Sequence, residues 1–148
     1  METSWLDADE TLWITIAQTR DEMSKTRRKD LKRFGMSTPR QAIVLRIIHY
    51  LGNKATLKEI SEHAYREIPS IYVLASRLEK KGLIIKVRDI PGSIALRYKI
   101  TRKGFKVLGK VLESDSIHKV ISVLTEGEKQ ELDSILQKLK KASMELKY

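Results

Sequence analysis

The stretch that most constrains this 148-residue chain is residues 56–100, where two short, separately capped helices run directly into a strand-turn-strand. Thr56-Leu57-Lys58-Glu59 has the spacing of a capping box, in which the threonine hydroxyl accepts from the amide three residues on and the glutamate reaches back. The helix it opens runs to about Tyr65, with Ile60 and Ala64 facing inward at i, i+4. After Arg66-Glu67-Ile68, Pro69-Ser70 starts a second helix over about 69–81, with Ile71, Leu74, Ala75 and Leu78 as its buried face. Gly82 ends it, behind Lys80 and Lys81, whose charge suits the negative end of a helix. Residues 83–88 are apolar and β-branched, Asp89-Ile90-Pro91-Gly92-Ser93 reads as a turn, and residues 95–100 alternate as a returning strand.

The flanks are helical. Residues 7–33 form one long helix with Leu12, Ile16, Met23 and Leu31 at helical spacing, ended by Gly35 as C-cap. Leu12-Trp13-Ile14 makes it apolar on more than one side, which calls for more cover than a small domain supplies. Thr38-Pro39 opens the next helix, whose apolar face holds Ile43, Val44, Ile47, Ile48 and Leu51; Gly52-Asn53-Lys54 turns the chain. Thr101 caps a helix over 102–113 with Phe105, Leu108, Val111 and Leu112 apolar. A short helix over 117–124 follows, and a second capping box, Thr125 to Glu128, opens a last helix to about Leu146 with Leu132, Ile135, Leu136 and Leu139 along one stripe. The fold class is mainly α with a small β-hairpin. The segments divide as 1–35, 36–101 and 102–148, in one compact domain overall.

Charge is unevenly placed. The net charge is +10, but residues 27–110 carry 21 basic and 6 acidic side chains while both ends are mildly acidic. A basic block of this kind is the footprint of a polyanion binder. No apolar run approaches the ~20 residues that span a membrane, and the acidic N-terminus lacks a signal peptide's basic start, so a cytoplasmic location is expected. With no cysteine, disulfides, thiolate metal sites and thiol catalysis are excluded.

Two short helices joined by a tight turn and followed by a basic hairpin describe a winged helix-turn-helix. In that arrangement the first helix braces on the DNA backbone and the second puts its N-terminal side chains into the major groove. Here the second helix offers Ser70, Tyr72, Val73, Ser76 and Arg77. Small residues allow close approach, and Arg77 can reach a guanine edge or a phosphate. Tyr72 has an equal claim to covering the neighbouring helix, and Arg77 to a salt bridge. Pro69 and Ser70 mark the start, where free backbone amides favour a phosphate. Arg40, Lys54, Lys58 and Arg66 flank the unit as phosphate contacts that position without specifying.

The order Leu78-Glu79-Lys80-Lys81-Gly82-Leu83-Ile84, then Val87-Arg88-Asp89, then Lys99-Ile100-Thr101-Arg102-Lys103-Gly104 resembles the MarR family of winged helix-turn-helix regulators. The resemblance covers nearly the whole chain. It implies a homodimer joined through the first and last two helices, a transcriptional regulator, more often a repressor, on a pseudo-palindromic site of double-stranded DNA, and release by a small-molecule effector. Trp13, Ile16, Tyr50 and Phe105 are the residues that could line an effector cleft, beside the reading that all four are core or interface. The sequence departs from the family at the wing tip. Where the family has aspartate-x-arginine, with the arginine in the minor groove, this chain has Gly92 and Ile94; Arg88 and Arg97 remain on the hairpin as partial substitutes. Specificity is therefore expected to lean on the helix, with less reading of narrow A-tract shape.

Other chemistry finds little support. His49, His63 and His118 are scattered, and His49 is expected buried or half-buried on its apolar helix rather than a metal ligand. Gly104 and Gly109-Lys110 have phosphate-loop spacing, but Val111 stands where a serine or threonine should hold magnesium, and the stretch reads as helix. No enzyme, cofactor or metal is expected. The competing function is a winged-helix module that binds protein, or DNA without reading its sequence; a PadR-type regulator fits less well, because those begin with the winged helix.

Overall fold

Four threonines start four of the helices as the sequence predicts. The hydroxyls of Thr38, Thr56, Thr101 and Thr125 accept from the backbone amides of Gln41, Glu59, Gly104 and Glu128 at 3.4, 3.2, 3.0 and 3.1 Å. At Thr125 the box closes in both directions, Glu128 accepting from the Thr125 amide at 3.0 Å. At Thr56 the backbone N–H instead donates to the Lys54 carbonyl at 2.9 Å, so only the forward half forms.

The structure, a computed structural model, describes residues 7–146. They fall into two units divided between Ser114 and Asp115. The first holds α1 (Ala8–Lys32), α2 (Pro39–Leu51), a 3-10 turn (Gly52–Lys54), α3 (Leu57–Ala64), α4 (Ile68–Lys80), β1 (Ile84–Val87), β2 (Arg97–Ile100) and α5 (Arg102–Glu113). The second holds α6 (Ser116–Ile121) and α7 (Glu126–Glu145). The mainly helical class with one antiparallel hairpin is as expected. The division at 114/115 lies inside the segment 102–148 that the sequence groups together.

Three helices of the first unit end by one device. After α1, Met36 N–H bonds the Leu31 carbonyl and Gly35 N–H that of Lys32. After α4, Leu83 bonds to Leu78 and Gly82 to Glu79; after α3, Arg66 bonds to Ser61 and Tyr65 to Glu62. Each places one left-handed residue just past the helix, at φ +77° for Gly35, +75° for Gly82 and +53° for Tyr65. At the two glycine ends the flanking apolar pair, Leu31 with Met36 and Leu78 with Leu83, is buried in the core. That core continues through Val44, Leu45 and Ile48 of α2, Ile60 of α3, Ile71 and Ala75 of α4, Tyr98 of β2, and Leu108 and Val111 of α5.

The hairpin is shorter than the sequence suggests. Ile84 pairs with Ile100, and Val87 with Arg97. Leu83 is outside it because its amide closes the α4 terminator. Ala95 is outside because its amide bonds the Ser93 hydroxyl at 3.0 Å. Residues 55 and 56 add a third edge: Tyr98 N–H donates to the Ala55 carbonyl at 2.8 Å, and Thr56 bridges Arg97.

Several apolar-stripe positions are left uncovered by their own unit, and His49, expected buried or half-buried, is among the exposed residues. Ile43, Phe105 and Leu112 are exposed, as are Leu132, Ile135, Leu136 and Leu139 of α7. His49 is exposed too, its ring 5.4 Å from that of Phe105. The cause is shared: the apolar stripes of these helices are wider than the surface their own unit offers to cover them.

Gly104 sets how closely the hairpin and α5 approach. A Cβ there would lie 2.0 Å from the Leu83 carbonyl oxygen and 2.9 Å from Ile100 Cγ1. The first obstacle is backbone and cannot swing aside. The residue is in the first turn of α5, and the segment is helix rather than a phosphate loop. Gly104→Ala is expected to lower the unfolding free energy by about 3 kcal/mol or more, read by urea denaturation. A loss under about 1 kcal/mol would show that the junction can open without cost.

Candidate nucleic-acid interface

The turn between α3 and α4 sets the direction in which α4 leaves. Tyr65, in the left-handed region, ends α3, and Glu67 precedes α4 without a side-chain cap. Pro69 in the first turn has no N–H to satisfy, which leaves few amides there, with the Glu67 carboxylate alongside. Ile71, Leu74, Ala75 and Leu78 are buried at i, i+3, i+4, i+7. The opposite face is thereby fixed outward: Ser70, Tyr72, Val73 and Arg77 are exposed and Ser76 is half-buried. The structure brings all five proposed readers onto this one helix.

The phosphate candidates are spread around that unit. Arg40 is exposed in the first turn of α2, Lys54 in the 3-10 turn, Lys58 in the first turn of α3, and Arg66 between α3 and α4. Three further cations, not among those candidates, lie on α4 and the hairpin. Lys80, one turn beyond Ser76, and Lys99, on the outward register of β2, are exposed. Lys86 on β1 lies 5.6 Å from the centroid of the Tyr72 ring and 3.6 Å from Glu79, tying the exposed aromatic of α4 to the hairpin. Lys81, in contrast, turns inward to the buried Gln41, donating to its Oε1 at 3.1 Å. Burial, then the charge of Arg77, lowers its pKa.

The two hairpin arginines differ. Arg88 is exposed. Arg97 makes a two-pronged ion pair with Asp89, Nε and Nη2 to the two carboxylate oxygens, and its side chain is only 11% exposed. Hydrogen bonding to Arg97 holds the Asp89 carboxyl below its ordinary range, so the pair stays ionised at neutral pH. Arg97 is thus a brace across the neck of the hairpin.

Of the four effector-cleft candidates, two lie beside histidine rings. Tyr50 sits by His63, ring centroids 6.0 Å apart, while Phe105 sits by His49. Trp13 is 62% exposed on α1 and Ile16 is partly covered. A cleft of about 150 Å³ lies elsewhere, between α1, α2 and α5, lined by Arg27, Pro39, Ala42, Ile43, Arg46, Leu108, Val111 and Leu112. Its floor is apolar, and Arg27 also donates to Ser114 Oγ at 2.9 Å. Sequence periodicity hides this cleft, because Arg46 interrupts an apolar face and Arg27 belongs to a run that reads as solvated. Among the described residues no cluster of three or more His, Asp or Glu could hold a metal, and no helix is long and apolar enough to cross a membrane.

Residues 37–89 match the model of the MarR family. No curated protein matches the chain. Among solved structures, the organohalide-sensing transcriptional regulator RdhR, in its 2,4-dichlorophenol-bound form, is 27% identical with a TM-score of 0.84, over 99% of this chain and 87% of that one. MepR of S. aureus in complex with DNA is 20% identical with a TM-score of 0.74, over 95% and 99% of the two chains. A MarR mutant from E. coli complexed with operator DNA is 19% identical with a TM-score of 0.77, over 87% and 93%. The latter two share the fold. The match covers the helix-turn-helix and the first strand of the hairpin: residues 37–89 carry the MarR-family domain, and the chain as a whole has the fold of winged-helix regulators of that kind.

Proposed function

We propose that the chain is a sequence-specific DNA-binding regulator, a repressor that occupies a pseudo-palindromic operator as a homodimer in the cytoplasm, and that it is a binding protein rather than a catalyst. The observation that carries this reading is the outward face of α4. Ser70, Tyr72, Val73 and Arg77 stand opposite a buried stripe, beside a cationic hairpin, in a fold shared with two DNA-bound regulators. Small residues with one arginine suit base edges in a major groove. Arg40, Lys54, Lys58, Arg66 and Arg88 would supply the phosphate contacts that set register.

Unpaired apolar surface supports the dimer. The 25 residues of α1 bury only Leu31 outright, and Leu12, Trp13 and Ile14 are exposed. Burial of one leucine contributes about 1.5–3 kcal/mol, while ordering each backbone residue costs about 1–2 kcal/mol. A helix of this length needs more cover. On α7, Leu132, Ile135, Leu136 and Leu139 form a stripe in which each is 41–46% exposed. A second copy covering both stripes makes 1–35 and 102–148 the dimerisation segments and 36–101 the DNA-binding lobe.

The cleft between α1, α2 and α5 supports control by a small effector. Its apolar floor of Ile43, Leu108 and Leu112, with Arg27 and Arg46 at its wall, suits a small aromatic carrying an acidic hydroxyl or carboxylate. The chlorophenol bound by RdhR has that chemistry.

A gel shift against the chain's own upstream DNA tests the first reading. Two chains are expected per duplex, with affinity falling steeply as salt rises. Arg77→Ala should weaken the specific complex by about 1–3 kcal/mol and relax preference at one position of each half-site. Equal affinity for specific and random duplexes would favour the module that does not read sequence. For the effector, titration with halogenated phenols should release the DNA, and Arg46→Leu should raise the concentration needed about tenfold, in line with the loss of one charge-assisted bond. Release that is unchanged in the variant would place the effector elsewhere.

A further inference from the structure

The hairpin tip has been built into a fixed shape that points an apolar side chain at solvent. Pro91 and Gly92 occupy the middle of a turn closed by Ser93 N–H to the Ile90 carbonyl at 3.2 Å, with Gly92 at φ +71°. Proline followed by a glycine in that conformation is the type II arrangement. The Ser93 hydroxyl then takes the Ala95 amide, and the Asp89–Arg97 pair closes the neck below. Between these restraints Ile94 is 88% exposed, and Pro91, Ala95 and Leu96 beside it are exposed as well. An isoleucine is among the residues most often fully buried. This one tops a small apolar ridge on a constrained tip.

The surroundings of the ridge are cationic. Residues 84–100 carry Lys86, Arg88, Arg97 and Lys99 against one acid, Asp89, which Arg97 neutralises. Arg88 and Lys99 remain exposed. An apolar tip flanked by cations complements a polyanion whose charged edges enclose an apolar floor. The minor groove of DNA has that form, with phosphates along both rims and base and sugar edges between them. Proteins that enter the groove with isoleucine, leucine or proline use the side chain as a wedge, partly unstacking a base step and bending the duplex. A protein partner of the same ridge would gain nothing from the flanking cations unless it were itself acidic.

We infer that the hairpin enters the minor groove through Ile94 as an apolar wedge, flanked by Arg88 and Lys99 on the phosphates, and that it selects for a deformable base step instead of a narrow, strongly negative groove. This rests on the DNA-binding reading above. The wedge adds no charge of its own, so its contribution is independent of salt, whereas that of an arginine at the same place would not be. Flexible pyrimidine-purine steps unstack most easily, and they are the sequence expected at the wing position of each half-site.

The test uses the full-length chain and a duplex obtained by selection from random sequence. If the unaltered chain selects no sequence at all, the regulator reading fails before the wedge is reached. Given a selected duplex, Ile94→Ser is expected to lower affinity about tenfold, to reduce the bend measured by end-to-end fluorescence transfer, and to leave the slope of affinity against salt unchanged. Permanganate reactivity of the thymine at the wing step should fall with it. Ile94→Arg is expected to steepen the salt dependence by about one phosphate contact and to move the preference toward A-tracts. The inference is overturned if Ile94→Ser binds and bends the duplex like the unaltered chain, whether or not it loses a protein partner. Since Ile94 is 88% exposed, circular dichroism melting should be the same for all three proteins.

Discussion

The first turn of α5 is pressed against the segment that ends α4, and the winged helix-turn-helix depends on that contact. Thr101 Oγ1 donates to the Gly82 carbonyl at 2.7 Å and accepts from Gly104 N–H at 3.0 Å, while Thr101 N–H donates to the Leu83 carbonyl at 3.0 Å. Lys103 Nζ reaches the Lys81 carbonyl at 3.0 Å. Thus the carbonyls of the three residues just past α4, Lys81, Gly82 and Leu83, are taken up by the start of α5, with no room for a side chain at Gly104. The hairpin lies between these elements in sequence, so the same contact fixes its base. Helix, hairpin and following helix are thereby bonded to one another at the base of the hairpin.

Charge is arranged on that frame by withdrawal as much as by display. Lys81 turns to Gln41, Arg97 is locked to Asp89, and Lys86 is shared between Glu79 and the Tyr72 ring. The cations left outward, Arg40, Lys54, Lys58, Arg66, Arg77, Lys80, Arg88 and Lys99, come from every element around α4. Internal pairing stiffens the hairpin, whereas the outward cations raise affinity for a polyanion without naming its sequence.

Helix ends were the most legible part of the sequence. A threonine cap or a terminal glycine acts through bonds three to five residues away, so local spacing suffices to place it; Thr38, Thr101, Gly35 and Gly82 do what their spacing implies, and Thr56 forms the forward half of its box. The outward face of α4 was legible for a related reason, since four buried positions leave only one outward side. Cover was not legible. Periodicity identifies the stripes on α2, α5 and α7, but whether Ile43, Leu112 or Leu136 meets a neighbour depends on surfaces far away in sequence. The same gap explains the cleft: Arg27 and Arg46 come together with Leu108 through packing of three helices, and the aromatic residues that chemistry favours lie outside it. Arg97, read as a partial substitute for the wing-tip arginine, is tied to Asp89, a partner eight residues away across a turn that spacing alone does not reveal.

The docking of α4 is tested most directly by photo-crosslinking from the full chain on its selected duplex. A short photoreactive side chain at position 73, on the exposed face of α4, should attach to base edges in the major groove, at equivalent places in the two half-sites. The same group at position 20, on α1, should give none. Adducts from position 20 with none from position 73, or adducts from 73 confined to the sugar-phosphate backbone, would contradict the assignment of α4 as the reading helix.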